Sequence, residues 1–154
     1  MRVKRTIIIL IGVLVWVSAC SGTSGLYIES KYNVLESEIN KNKTSMKIYT
    51  DNQIYTLPVQ RIILKFENNG TSDVNFGESR YIEKLVEGKW YLIPYKELGF
   101  NDIGLTIKPG ESVEQRIPLE FLDYKLTEGL YRIPKSFNDE SENFVIAAEF
   151  EIKE

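Results

Sequence analysis

The sequence predicts an all-β sandwich of about seven or eight strands. Three observations predict it. From Met46 onward, runs of β-forming residues are broken about every 8 to 12 residues by Gly, Pro or Asn, the rhythm of strands joined by turns. Within the runs the apolar period is two rather than 3.6, so one side of each strand faces a core. The chain has 154 residues, enough to bury one core without needing a second.

The first element is not part of the sandwich. Arg2, Lys4 and Arg5 precede an uncharged run from Thr6 to Ala19. A transmembrane helix needs about 20 apolar residues. A signal peptide needs an apolar stretch of about 7 to 15, followed by small residues at a cleavage site. The run ends in Val17-Ser18-Ala19-Cys20. These four residues resemble the lipobox of bacterial lipoprotein signals, with an aliphatic residue, two small residues and a cysteine. The resemblance implies that residues 1–19 are removed and that Cys20 becomes the diacylated mature N-terminus. Each buried acyl CH₂ contributes about 0.8 kcal/mol to membrane residence, so two chains hold where one is marginal.

Processing changes the charge. The whole chain has 19 basic and 22 acidic residues, and the signal holds three basic residues and no acidic one, leaving 16 against 22. Nucleic-acid binding by counterion release requires a basic face, so the balance argues against nucleic acid as a partner.

Residues 20–45 read as the lipidated cysteine and a tether, opening with Ser21-Gly22-Thr23-Ser24-Gly25 and continuing with many small and charged residues. Leu26-Tyr27-Ile28 and Val34-Leu35 either dock on the domain or form a short helix. The sandwich is assigned to residues 46–154. In Gln60 to Glu67, Ile62, Leu64 and Phe66 alternate with mostly polar residues, and Asn68-Asn69-Gly70 turns the chain. Glu87-Gly88 joins Arg80–Val86 to Lys89–Ile93 as a hairpin. Pro109-Gly110 separates Ile103–Ile107 from Ser112–Leu119, and Pro118 marks an edge or a strand end. In the last run Phe144, Ile146, Ala148, Phe150 and Ile152 share one face.

Ahead of that run, Leu126, Gly129 and Tyr131 have the spacing of the tyrosine corner of Greek-key sandwiches. There a glycine permits a sharp bend, and the Tyr hydroxyl bonds back to the backbone. The alternative is a glycine turn before an ordinary strand tyrosine; the strands on both sides favour the corner.

With these segments in order, residues 46–152 resemble the bacterial immunoglobulin-like domain of lipoproteins and membrane proteins from mainly Gram-positive bacteria. The segments that carry the resemblance are Phe66-Glu67-Asn68-Asn69-Gly70, Phe76-Gly77 with Tyr81-Ile82-Glu83-Lys84, Gly88-Lys89-Trp90-Tyr91, Lys108-Pro109-Gly110-Glu111-Ser112, Leu126 with Gly129-Leu130-Tyr131-Arg132-Ile133, and Ala147-Ala148-Glu149-Phe150. The resemblance implies an immunoglobulin-like Greek-key sandwich and supplies no catalytic motif. With one cysteine in the chain, no disulfide can tie the sheets, and tyrosines and aliphatic side chains are expected to do so.

The chemistry that remains is narrow. The chain has no histidine, which removes Ser-His-Asp and Cys-His nucleophiles, histidine metal sites and the usual neutral-pH proton shuttle. No Gly-x-Ser-x-Gly elbow, Walker loop or paired zinc cysteines occur. The acids Glu29, Glu36 and Glu38, and Asp139, Glu140 and Glu142, read as solvated charges, and Ser136–Ser141 lacks a calcium cage. No metal and no cofactor are expected. Arg132 and Lys135 would form a basic patch with Arg61, Lys65 or Arg80 if their strands were neighbours; otherwise Arg132 lays its stem over the outer sheet face. Trp90 is expected in the core. Tyr91, Tyr95 and Phe100, with Arg132, are the candidate binding surface. The expected function is that of a lipid-anchored, extracytoplasmic domain, not an enzyme, that binds a protein or envelope partner. The rivals are a protease inhibitor of the same build and a carboxylate-based wall hydrolase.

Overall fold

A computed structural model describes residues 25–26, 28–96 and 104–154. The predicted signal, Cys20 and Phe100 therefore lie outside the described residues. Among the described residues no helix is long and apolar enough to cross a membrane.

The described chain forms β1 (Ile28–Glu29), β2 (Glu38–Lys41), β3 (Thr44–Thr50), β4 (Ile54–Thr56), β5 (Ile63–Asn68), β6 (Val74–Phe76), β7 (Glu83–Val86), β8 (Lys89–Leu92), β9 (Leu105–Ile107), β10 (Ser112–Arg116), β11 (Gly129–Asn138) and β12 (Asn143–Lys153), with a 3-10 turn at Leu119–Phe121. They build two facing sheets. One runs β1-β8-β7-β11-β12-β4, with β6 and then β9 continuing from the far end of β11; the other runs β10-β5-β3-β2. The expected sandwich is present, with more strands than the alternation showed. The additional ones are two to four residues long and too brief to display a period.

The backbone of the larger sheet is the β11–β12 hairpin, in register from Gly129↔Ile152 to Asn138↔Asn143. Its turn is fixed by Asp139, whose Oδ1 accepts from Ser141 N–H at 2.8 Å, Ser141 Oγ at 2.7 Å and Glu142 N–H at 2.8 Å. Its Oδ2 accepts a short bond from Thr44 Oγ1 on the other sheet. Asp139 is thus a buried turn-former rather than the solvated charge expected from its acidic neighbours. These bonds, Thr44 first and then Ser141, hold its carboxyl well below the usual range. A carboxyl with a depressed value stabilises the fold fully above the ordinary aspartate value of about 3.9 and loses that contribution as pH falls below it. Asp139→Asn should therefore lower the urea midpoint at pH 7 and flatten its decline below pH 4. A variant with the wild-type acid slope would exclude this role.

The core lies between the sheets. Ile48, Ile62, Leu64 and Phe66 of the smaller sheet and its approach are fully buried against Tyr131, Ile133, Phe137, Ala148 and Phe150 of the larger. Aromatic rings bridge the gap: Phe66 lies 5.0 Å from Phe76 and 5.7 Å from Phe137, centroid to centroid. In place of a disulfide, phenylalanine packing joins the layers here, alongside the tyrosines and aliphatic residues expected from the sequence. The Glu87-Gly88 hairpin forms as predicted, with both residues in the left-handed region at φ 50° and 80°. The Pro109-Gly110 turn separates two strands as predicted, but β9 joins the larger sheet while β10 joins the smaller, so it crosses between layers. β10 is an edge strand that ends just before Ile117-Pro118.

The domain boundary needs correction. The sequence assigns residues 20–45 to a tether, with docking of Leu26–Ile28 and Val34–Leu35 left open; of these, Leu26 is 4% exposed within the core, β1 pairs with β8, and β2 pairs with β3. Between them residues 30–37 lie across the outer face of the larger sheet, where Ala147 N–H donates to the Glu36 carbonyl at 2.9 Å. This strap explains why Ala147, on the outward side of β12, is fully buried. The β3–β5 side is equally tight at Gly70. A Cβ there would sit 2.4 Å from the Lys43 carbonyl oxygen and 2.7 Å from Ser45 N, both backbone atoms. Gly70→Ala should cost about 1–3 kcal/mol, the usual range for overpacking, read as a lower urea midpoint at unchanged slope.

Candidate binding surface

The Leu126, Gly129 and Tyr131 corner sits where the chain enters β11. The Tyr131 hydroxyl donates to the Thr127 carbonyl at 2.6 Å and accepts from Thr127 N–H at 3.1 Å. Tyr131 is fully buried and stacks on Phe150 at 5.6 Å, while Leu126 packs half-buried against the core. Gly129 has φ 138°, and a Cβ there would meet Lys84 Cε at 3.2 Å. The Lys84 ammonium lies 5.3 Å from the Tyr131 ring centroid and donates to Thr127 Oγ1, so the corner is sealed by a buried cation.

Arg132 does not belong to a binding surface. It is wholly buried on the outer face of the larger sheet, stacked 4.2 Å from the Trp90 ring centroid. Its Nε donates to Glu83 Oε2 at 2.7 Å, and its Nη2 and Nη1 donate to the carbonyls of Tyr32 at 2.7 Å and Asn33 at 3.2 Å. The strap turns a solvent-facing position into an interior one, which the assignment of residues 20–45 to a tether concealed. Trp90 is buried beneath the strap rather than between the sheets.

The basic patch does not assemble. Lys135 points between the sheets, 2% exposed, with its three ammonium protons matched by the Gly77 carbonyl, the Ser79 carbonyl at 2.6 Å and Gln115 Oε1 at 3.1 Å. Burial first, and then the Arg80 charge, push its amine from 10.5 down to about 7. Lys65 pairs with Glu114 at 2.8 Å, and Arg61 lies 3.8 Å from Asp51. The candidate aromatics are not an exposed platform either. Tyr91 and Tyr95 are half-buried against the core, and the Tyr95 hydroxyl donates to the Arg80 carbonyl at 2.6 Å.

A different surface emerges at the far end of the larger sheet. Thr106, Asn75, Asn138 and Asn143 face one another across β9, β6, β11 and β12 as a single cross-strand row. Thr106 Oγ1 donates to Asn75 Oδ1 at 2.7 Å, and Asn138 Nδ2 donates to Asn143 Oδ1 at 2.8 Å. Each amide carries two N–H donors and a carbonyl, so the row retains capacity for a ligand. Asn75, Asn138 and Asn143 line a groove of about 730 Å³, with Tyr32 and Leu35 of the strap and Val145 among its other walls. Among the described residues that line it, none is Asp, Glu, Lys or Arg, in a chain where 27% of residues are. Such a surface suits an uncharged partner that exchanges hydrogen bonds and covers a small apolar wall. Sequence reasoning missed it because asparagines near strand ends read as turn residues. Only the pairing of four strands shows them side by side.

The family model described as "Bacterial Ig-like domain" matches residues 42–151. No curated protein matches the chain. Among solved structures, the chain is similar to the Pseudomonas fluorescens alkylpurine DNA glycosylase AlkC bound to DNA containing an abasic site analog, at 16% identity and TM-score 0.36, over 71% of this chain and 30% of that one. It is also similar to the ASH / PapD-like domain 7 of human CEP192, at 17% identity and TM-score 0.38, over 81% of this chain and 96% of that one. The chain thus spans about 30% of the glycosylase's length. The family match runs from the β2–β3 turn into β12 and takes in both sheets, the corner and the asparagine row: the chain belongs to the bacterial Ig-like domain family.

Proposed function

We propose that this protein is a non-catalytic binding lipoprotein, held on the extracytoplasmic face of a membrane by a diacylglyceryl group on Cys20. Its asparagine-lined groove takes an uncharged, hydrogen-bonding partner in the cell envelope. The observation that carries the reading is the placement of that groove. The described chain begins at Gly25, beside the tyrosine corner, whereas Asn138 ends a ten-residue strand that starts at the corner. At about 3.3 Å per residue, the groove stands some 30 Å from the corner end, where the chain from Cys20 enters the domain, and in this reading it faces away from the bilayer.

The test is capture of envelope material by the full chain carrying a photo-crosslinker near Val145. The captured species should be lost in Asn138→Asp, which places a charge in the groove, and kept in Glu128→Gln at the opposite end. Equal capture by both variants, or none above a Cys20→Ala control, would remove the reading.

A further inference from the structure

The corner end of the domain carries a second groove, of about 470 Å³, lined by Leu57, Val59, Leu119, Leu122, Tyr124 and Leu126 together with Pro58 and Lys125. All of these described lining residues but Lys125 are apolar or aromatic. At its side Phe121, on the 3-10 turn, is 47% exposed. An apolar groove with an exposed aromatic beside it marks a contact surface.

The path of the chain identifies the partner. Gly25 lies against the Tyr124 ring, its Cβ position 3.6 Å from Cδ2, and Leu26 is locked in the core. Four residues, 21–24, lie between Cys20 and Gly25, so the two are five residue steps apart. Fully extended these steps reach about 17 Å. Residues 21–24, Ser-Gly-Thr-Ser, are too polar to fill the groove themselves.

We infer that this groove and Phe121 seat on the bilayer that holds Cys20, so that the domain stands on its corner end instead of hanging on a loose tether. The inference rests on lipidation of Cys20. The contact is not polybasic: in the adjoining cavity Lys84 and Lys125 are outnumbered by Glu87, Asp123, Glu128 and Glu154, and Glu120 is already paired with Arg116. Seating should therefore gain nothing from anionic lipid and should survive high salt, unlike polybasic attachment. Phe121 would lie at the headgroup and acyl boundary, within about 5–10 Å of the surface.

The experiment uses the full chain, expressed and processed in its host membrane, purified and placed in phosphatidylethanolamine–phosphatidylglycerol vesicles with brominated tails. Phe121→Trp and Val59→Trp report the groove, and Asn138→Trp reports the far end. Emission is corrected for Trp90 with the unsubstituted protein, and intact mass reports the lipid. Brominated tails should quench the two groove reporters on the order of twofold, as expected for residues at the acyl boundary, and leave Asn138→Trp unchanged. That pattern should persist as phosphatidylglycerol is lowered and salt is raised. Equal quenching at both ends, or none, on a chain with the diacylglyceryl mass would overturn the seating and leave the anchor standing. Groove quenching that disappears with salt would overturn the apolar contact. A chain without the lipid mass would overturn the anchor and the seating together.

Discussion

Arg132→Ala should destabilise the fold by about 3–5 kcal/mol, the range for removing one partner of a buried ion pair. Three losses coincide at one side chain. Glu83, 5% exposed, is left with an unpaired carboxylate; the ring of Trp90 loses its guanidinium cover; and the carbonyls of Tyr32 and Asn33 lose their donor. Arg132→Lys should recover little, because an ammonium cannot stack flat on an indole while serving acceptors in several directions. Adding Glu83→Leu to Arg132→Met should recover the part due to the stranded carboxylate, since buried pairs replaced together cost far less than pairs broken. It should not recover the strap. Urea unfolding measures the first effect and amide exchange at residues 30–37 the second. Arg132→Ala with wild-type stability and a protected strap would show that the cluster contributes nothing.

The second large effect is a stability maximum on the alkaline side of neutrality. With the Lys135 amine pushed from 10.5 down to about 7, between those values the unfolded chain holds a proton that the folded chain has released, so raising the pH favours folding. Below about 7 both states hold the proton and the cost of burying the charge is felt in full. Each unit of the interval contributes on the order of 1 kcal/mol, lessened by the three oxygens that serve the charged amine. Two tyrosines act in the opposite sense. Burial, and then the bond to Asp51, raise Tyr55 to about 12, and burial raises Tyr95 also. Above the ordinary tyrosine value of about 10 the unfolded chain loses phenolic protons first, which favours unfolding. Stability should climb from pH 7 toward 10 and then turn over. Lys135→Met should flatten the rising limb and leave the falling one. A Lys135→Met chain that keeps the full rise would assign it to other groups.

Much of this molecule is legible in its sequence, for a physical reason. Strands with one buried face must alternate, so Ile62, Leu64 and Phe66, and Ile146, Ala148, Phe150 and Ile152, disclose both themselves and the sandwich. The corner is legible because its bend and its bond require a particular glycine and tyrosine. What escapes is set by distant pairing. β1 and β2 are two and four residues long and gain their order from β8 and β3, not from any pattern of their own. The parity of β11 places Arg132 on the outer face but cannot reveal that residues 30–33 cover it. Lys135 has the parity of the core, and its charge argues against that position until three oxygens from elsewhere in the chain are seen to receive it. The asparagine row is visible only once four strands are in register.

The strap closes a circuit between the beginning and the end of the domain. Arg132 and the Asn33 carbonyl it binds are 99 residues apart. A ribosome delivers the strap first and the sheet it covers last. For most of synthesis residues 30–37 have no surface to lie on, and Glu83 waits for its cation. Assembly is incomplete until β11 and β12 are present to receive both the earlier strands and the strap. Contacts so distant along the chain make folding slow, on the order of milliseconds to seconds for all-β domains. A nascent chain interrupted before Asn143 is accordingly an unfinished sandwich with an open face, not a smaller stable one.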